Sequence, residues 1–168
     1  MGETFVVALL AACAALSLGV APLRAQSRVV PVVPPLLALG LNELSFGTIL
    51  PGIPASVSSS DAHNAGLFQV QGPAGASVRV EFVLPSALVA DDGARLPVSF
   101  GSRDGLADFG GDLGPHGRPF DPHAPVIGCL GGTGRLFLRI GGTALPARPQ
   151  SRGTYRATIY LTVFDLGS

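Results

Sequence analysis

Glycine and proline interrupt this chain so often that a helix of ordinary length has no room beyond the first twenty-five residues. There are 23 Gly and 15 Pro among 168 residues, and these two residue types are the poorest in a helix interior. No window after Ala25 carries apolar side chains at three- and four-residue spacing between helix caps. The two residues show no three-residue period, which excludes a collagen-like chain. The apolar content of 47% is too high for a disordered one.

What remains is a period of two. In Ser77 to Leu84, Val78, Val80, Phe82 and Leu84 share one face, and Arg79 and Glu81 share the other. In Arg135 to Ile140, Leu136, Leu138 and Ile140 oppose Arg135, Phe137 and Arg139. In Thr154 to Phe164, Tyr155, Ala157, Ile159, Leu161 and Val163 oppose Arg156, Thr158, Tyr160 and Thr162. This alternation predicts half-buried strands of an antiparallel sheet, each with one wet face. Weaker patterns predict strands in Leu36 to Leu50, Gly66 to Gln71 and Leu96 to Phe100. Turn chemistry separates them at Pro51-Gly52, Gly72-Pro73-Ala74-Gly75 and Asp91-Asp92-Gly93. Gly131-Gly132-Thr133-Gly134 and Gly141-Gly142-Thr143 also read as hairpin turns, since no helix or lysine follows to make a phosphate cradle. Many short strands at this spacing predict an all-β, two-sheet sandwich. The segment from Gly101 to Gly134 breaks the rhythm and reads as a long loop, with Val126-Ile127 its one strand-like fragment.

The N-terminus reads as an address. Phe5 to Ala21 is almost wholly apolar, yet shorter than a comfortable membrane span. Small residues follow, with cleavage expected after Ala25. The stretch before Phe5 holds Glu3 and no basic residue, which departs from the usual signal pattern. A rival reading is a lipobox at Leu10-Ala11-Ala12-Cys13, although the apolar run continues past that Cys. The expected organisation is a signal peptide over residues 1–25, an extended Pro-rich arm over 26–35 and one sandwich domain over 36–168. With Cys13 removed, Cys129 is alone and no disulfide can form within the mature chain.

The eleven basic side chains, all arginine, balance eleven acidic ones. A net charge of zero gives no general pull toward nucleic acid or anionic membranes. Candidate chemistry is sparse. His116 and His123 share the long segment with Asp112, Asp121 and Cys129, residue types that can bind zinc, but their spacing fits no ligand signature. Asp104, Asp108 and Asp112 lack the alternate-residue oxygens of a compact calcium loop. Ser58-Ser59-Ser60-Asp61-Ala62-His63-Asn64 holds the residue types of a nucleophilic triad without an elbow motif, and a polar turn is expected. Arg135, Arg139 and Phe137 on one strand, and Arg156 with Tyr160 on another, could contact a glycan or protein from a flat sheet. The expectation for these is a wet face shielded by long side chains. No catalytic, cofactor-binding or metal-ligating residue is assigned.

Several pieces, in order, carry a family resemblance. They are Leu44-Ser45-Phe46-Gly47-Thr48-Ile49-Leu50-Pro51-Gly52, Phe68 to Gly75, Val78 to Pro85, and Ile140 to Leu145 followed by Gln150 and Gly153 to Val163. Together they resemble exported bacterial β-sandwich domains similar to spore coat protein U and to subunits of archaic chaperone–usher pili. The resemblance implies an immunoglobulin-like sandwich, export to the periplasm or cell surface, and a structural role without catalysis. It implies as partners further copies or related subunits joined by strand addition, and a periplasmic chaperone. The arm Arg28-Val29-Val30-Pro31-Val32-Val33-Pro34-Pro35 would be the added strand, but its three prolines cannot donate to a ladder. The sequence reading therefore expects a subunit assembling through strand edges. The alternative is a monomeric secreted module that binds a surface glycan or protein through residues 101–134.

Overall fold

The computed structural model describes residues 35–110 and 117–167. The expected signal peptide, nearly all of the expected arm, and the Asp112 and His116 positions lie outside the described residues.

The described residues form strands and no α-helix, and every strand pair is antiparallel. In chain order the strands are β1 (Leu37–Asn42), β2 (Ala55–Val57), β3 (Gly66–Gln71), β4 (Ser77–Val83), β5 (Ala87–Ala90), β6 (Arg95–Ser99), β7 (Gly105–Asp108), β8 (Arg118–Phe120), β9 (Val126–Cys129), β10 (Arg135–Ile140), β11 (Gly142–Ala144), β12 (Tyr155–Arg156) and β13 (Tyr160–Gly167). They join into three sheets. The first runs β1-β3-β10-β7-β8, the second β13-β4-β9 and the third β12-β5-β6-β11-β2.

The alternating patterns explain how the first two sheets meet. Register aligns Val70 of β3 with Leu136 of β10, and Leu138 of β10 with Ala107 of β7. On the second sheet Val78 and Val80 of β4 align with Gly128 and Val126 of β9. Val70, Val78, Val80, Ala107, Val126, Leu136 and Leu138 pack into one buried cluster between the sheets. Burial of these aliphatic faces is the main favourable term holding the two sheets together. Phe82 extends the cluster at one end. Its ring meets Phe68 edge-on at 5.5 Å and stacks on Phe120 at 6.0 Å, so an aromatic from the second sheet lies between two from the first.

The first two sheets face each other across this cluster as an antiparallel β-sandwich. One local feature is familiar from such folds. The Tyr155 hydroxyl, at the start of β12 just before β13, donates back to the Ser151 carbonyl at 2.7 Å. That backward bond four residues along the chain resembles the tyrosine corner of sandwich domains. Gln150 completes it, with Nε2 donating to the Tyr155 hydroxyl at 2.7 Å and to the Arg95 carbonyl at 3.2 Å.

The third sheet extends the sandwich along its strands. β10 passes directly into β11 at Gly141, so one extended run serves two sheets. A side chain at Gly141 would collide with the Val57 carbonyl and the Ser59 amide, which explains glycine there. The Gly141-Gly142-Thr143 hairpin turn expected from sequence is therefore a strand, because its backbone pairs with β2 and β6. Gly131 to Gly134 does form the turn between β9 and β10, with Gly134 at φ 66° and its carbonyl accepting the Gly72 amide at 2.9 Å. Leu96, Val98 and Ala144 form a second buried cluster, covered by Phe46, Ile49, Leu88, Phe100 and Tyr155.

Four further expectations are corrected. The strand expected over Leu36 to Leu50 ends at Asn42. The long loop expected from Gly101 to Gly134 contains β7, β8 and β9; these are three or four residues long and too short to show a period. The run from Thr154 to Phe164, expected as one half-buried strand, is not continuous. It splits into β12 and β13, because its partner run from β4 to β5 is broken by Pro85, which has no amide to donate. Ala157 is exposed, and Leu161 and Val163 are half-buried at the edge of the core. Finally, Phe137 does not lie on a wet face. It is 7% exposed on the outer side of β10, the strand buried most nearly on both faces.

Candidate functional site

The two lateral sides of the sandwich differ in their chemistry. On one side stand β1, the edge of the first sheet, and β13, the edge of the second. β1 reads LALGLN, with neither charge nor proline, and every residue in it is exposed. Its register with β3 puts Ala38 opposite Val70 and Gly40 opposite Phe68, so its core-facing positions are small. A side chain added at Gly40 would meet nothing within 4 Å. Leu37 and Leu39 point to the other face, 49% and 38% exposed.

β13 reads YLTVFDLG. Val163 and Leu161 align with Val80 and Phe82 of β4 and face the core. Tyr160, Thr162 and Phe164 face outward, with Tyr160 63% exposed. The Arg79 guanidinium lies 5.9 Å over the Phe164 ring and pairs with Glu81. The one charged residue of β13, Asp165, turns its Oδ1 to the Gly167 amide at 2.9 Å, at the point where the ladder loses its regular register. Among the described residues no strand pairs with β13 on the side away from β4. Its outward N–H and C=O groups are the kind of exposed row that recruits another strand.

The opposite side is blunted. β8 is three residues long and contains Pro119. Arg118 aligns with the buried Ala107 and is itself exposed at this edge. β9 follows Pro125 and is four residues long. A cleft of about 490 Å³ lies here, lined by residues that include Asp108, Phe109, Arg118, Gly128 and Cys129. Short strands, proline and a charged side chain are the standard protections of a sheet edge.

No family model, no curated protein and no solved structure matches the chain. The open side must therefore be read from its own chemistry.

The residues singled out from sequence are scattered. His123 and Asp121 are neighbours in one turn, where the Asp121 carboxylate accepts the His123 backbone amide at 2.9 Å. Cys129 lies on β9 with Sγ 3.6 Å from the Ser77 hydroxyl, and its thiol is free. Among the described residues no three His, Cys, Asp or Glu side chains converge as a metal site would require. Asp104 in its turn and Asp108 at the end of β7 each accept a nearby backbone amide, from Gly101 at 2.7 Å and Gly110 at 2.8 Å.

Asp61 and His63 do meet, but through the backbone. Asp61 Oδ1 accepts the His63 amide at 2.9 Å and the Asn64 amide at 3.1 Å, while Oδ2 accepts from Asn64 Nδ2 at 2.8 Å. The Asn64 side chain, followed by the two amides, holds the Asp61 carboxyl below its ordinary pKa. Ser58 bonds Ser60 rather than His63. This is a capped polar turn.

Arg135 is exposed, Arg139 is half-buried, and the Phe137 between them is covered, so the expected Arg–aromatic face on β10 is interrupted. Arg156 and Tyr160 lie on different strands in different sheets. The Arg79–Phe164 pair has no signature in the sequence. Nothing local links residues 79 and 164; only the register of β4 against β13 brings them together.

Proposed function

We propose that this chain is a non-enzymatic, exported structural subunit of the pilus or surface-coat type that assembles through strand edges. One observation carries the reading. Among the described residues the β1/β13 side is unpaired and largely apolar, while the β8/β9 side bears a proline and an exposed arginine at a core-facing register position. A monomer selected only for solubility has reason to blunt both sides. The ordered resemblance to spore coat U-like and archaic pilus domains supports the same reading, as does the outer edge of β13, which no strand pairs among the described residues. The sequence of residues 1–25 supports export. A periplasmic chaperone that covers the open side would fit such a subunit.

The test is the mass distribution of the exported protein by size-exclusion chromatography with light scattering. A species of at least twice the subunit mass that disappears when charge is placed on β13 is the expected result. A single monomer peak at every concentration overturns the reading.

The 490 Å³ cleft favours a second reading, a monomeric module whose 101–134 segment binds a surface glycan or protein. It predicts ligand binding that is lost on Arg118→Ala without any change in oligomeric state.

A further inference from the structure

The edge of β13 that is unpaired among the described residues is complementary to itself. We infer that the partner at this edge is the β13 strand of a second copy, paired antiparallel about a two-fold axis through Thr162. The inference rests on the strand-edge reading above and names the occupant.

The register of β13 against β4 runs without irregularity from Tyr160 to Asp165 and is lost between Asp165 and Gly167. The usable edge is therefore centred close to Thr162. Antiparallel pairing about Thr162 places Tyr160 opposite the Phe164 of the second copy on the outer face. It places Leu161 opposite Val163 on the core-facing side and Thr162 opposite itself. Aromatic pairs, apolar pairs and Thr–Thr pairs are each favourable cross-strand neighbours. The Tyr160–Phe164 and Leu161–Val163 pairs are each formed twice, because a two-fold contact is reciprocal, and the Thr162 pair is formed once on the axis.

Neighbouring registers are worse. Centring on Val163 sets Leu161 against the Asp165 carboxylate. Centring on Leu161 runs Val163 past the start of β13 toward Ile159. In the Thr162 register no charged side chain faces another across the axis. Arg79 remains over Phe164 and continues the outer face into each subunit. The result is a six-stranded sheet, three strands from each copy, that buries the half-exposed flank of Leu161 and Val163.

The alternative donor, residues 28–35, carries Pro31, Pro34 and Pro35 and cannot supply an unbroken ladder. The segment from Leu37 onward is already engaged with β3.

A cross-link at the axis tests the inference. The exported full chain would carry Cys13→Ser and Cys129→Ser, and Thr162→Cys would then be added. Directly opposed residues have Cβ atoms about 4.5–5.5 Å apart, near enough for a disulfide with small adjustment. Mild oxidation is expected to trap a covalent dimer. In the otherwise native chain, Thr162→Lys would set two ammonium groups face to face at the axis. The same lysine stands opposite Glu81 within its own subunit, so the fold is retained. Its dimer dissociation constant is expected to rise at least tenfold with an unchanged melting temperature of the monomer.

Multimers that form without a Thr162→Cys cross-link, and that ignore Thr162→Lys, would overturn the two-fold pairing while leaving strand-edge assembly through another segment. A chain that stays monomeric at every concentration, with no cross-link, would overturn both.

Discussion

The Tyr155 hydroxyl reaches back to the Ser151 carbonyl at 2.7 Å and takes the Gln150 amide at the same distance. These two bonds fix the loop that delivers the chain into β12 and β13. Tyr155→Phe keeps the ring packed against Leu96, Val98 and Ala144 but removes both bonds. A net loss of about 1 kcal/mol is expected, read as a lower urea midpoint with an unchanged slope.

Gly141 joins β10 to β11 with no room for a side chain. Gly141→Ala is expected to cost about 1–3 kcal/mol through overpacking against the Val57 carbonyl. Gly40→Ala, pointing into open space, is expected to leave the denaturation midpoint unchanged or slightly raised. Equal losses at the two positions would contradict the close approach at Gly141.

Leu138 is fully buried in the central strand, whereas Leu161 is half-buried at an edge. Leu138→Ala is expected to cost about 2–5 kcal/mol. Leu161→Ala is expected to cost about 1 kcal/mol, in proportion to its partial burial. Chemical denaturation of the two variants ranks the strands directly, and the reverse order would contradict the edge position of β13.

Asp61 titrates below its ordinary range because Asn64 and two amides stabilise the carboxylate. A depressed folded pKa adds stability above the unfolded value of about 3.9 and loses it as pH falls through the folded value. Asn64→Ala removes the largest cause, so the Asp61 pKa is expected to move up. Carboxyl chemical shifts followed by NMR through the acid range check the direction.

The sequence was most informative where strands are long and buried on one face. β3, β4 and β10 fall where the alternation of Gly66 to Gln71, Ser77 to Leu84 and Arg135 to Ile140 puts them, within a residue. β7, β8 and β9 were hidden, since three or four residues cannot display a period, and Pro119 argued against a strand at all. Thr154 to Phe164 misled for a different reason. Its alternation is real, but position in a sheet depends on the partner, and neither the break opposite Pro85 nor the edge placement is written in the run itself. The Arg79–Phe164 contact and the asymmetry of the two sides are properties of register and strand order. They become legible only once β13 is seen to lie beside β4.

The passage of β10 into β11 has a consequence for how the molecule comes apart. Leu136 and Leu138 anchor one buried cluster and Ala144 another, yet all three sit on a single extended run with only Gly141 at its bend. Pulling that run out of either sheet strips a central strand from the other. The two clusters should therefore melt together, with calorimetric and van't Hoff enthalpies in agreement, rather than as a stable sandwich with a separately fraying annex.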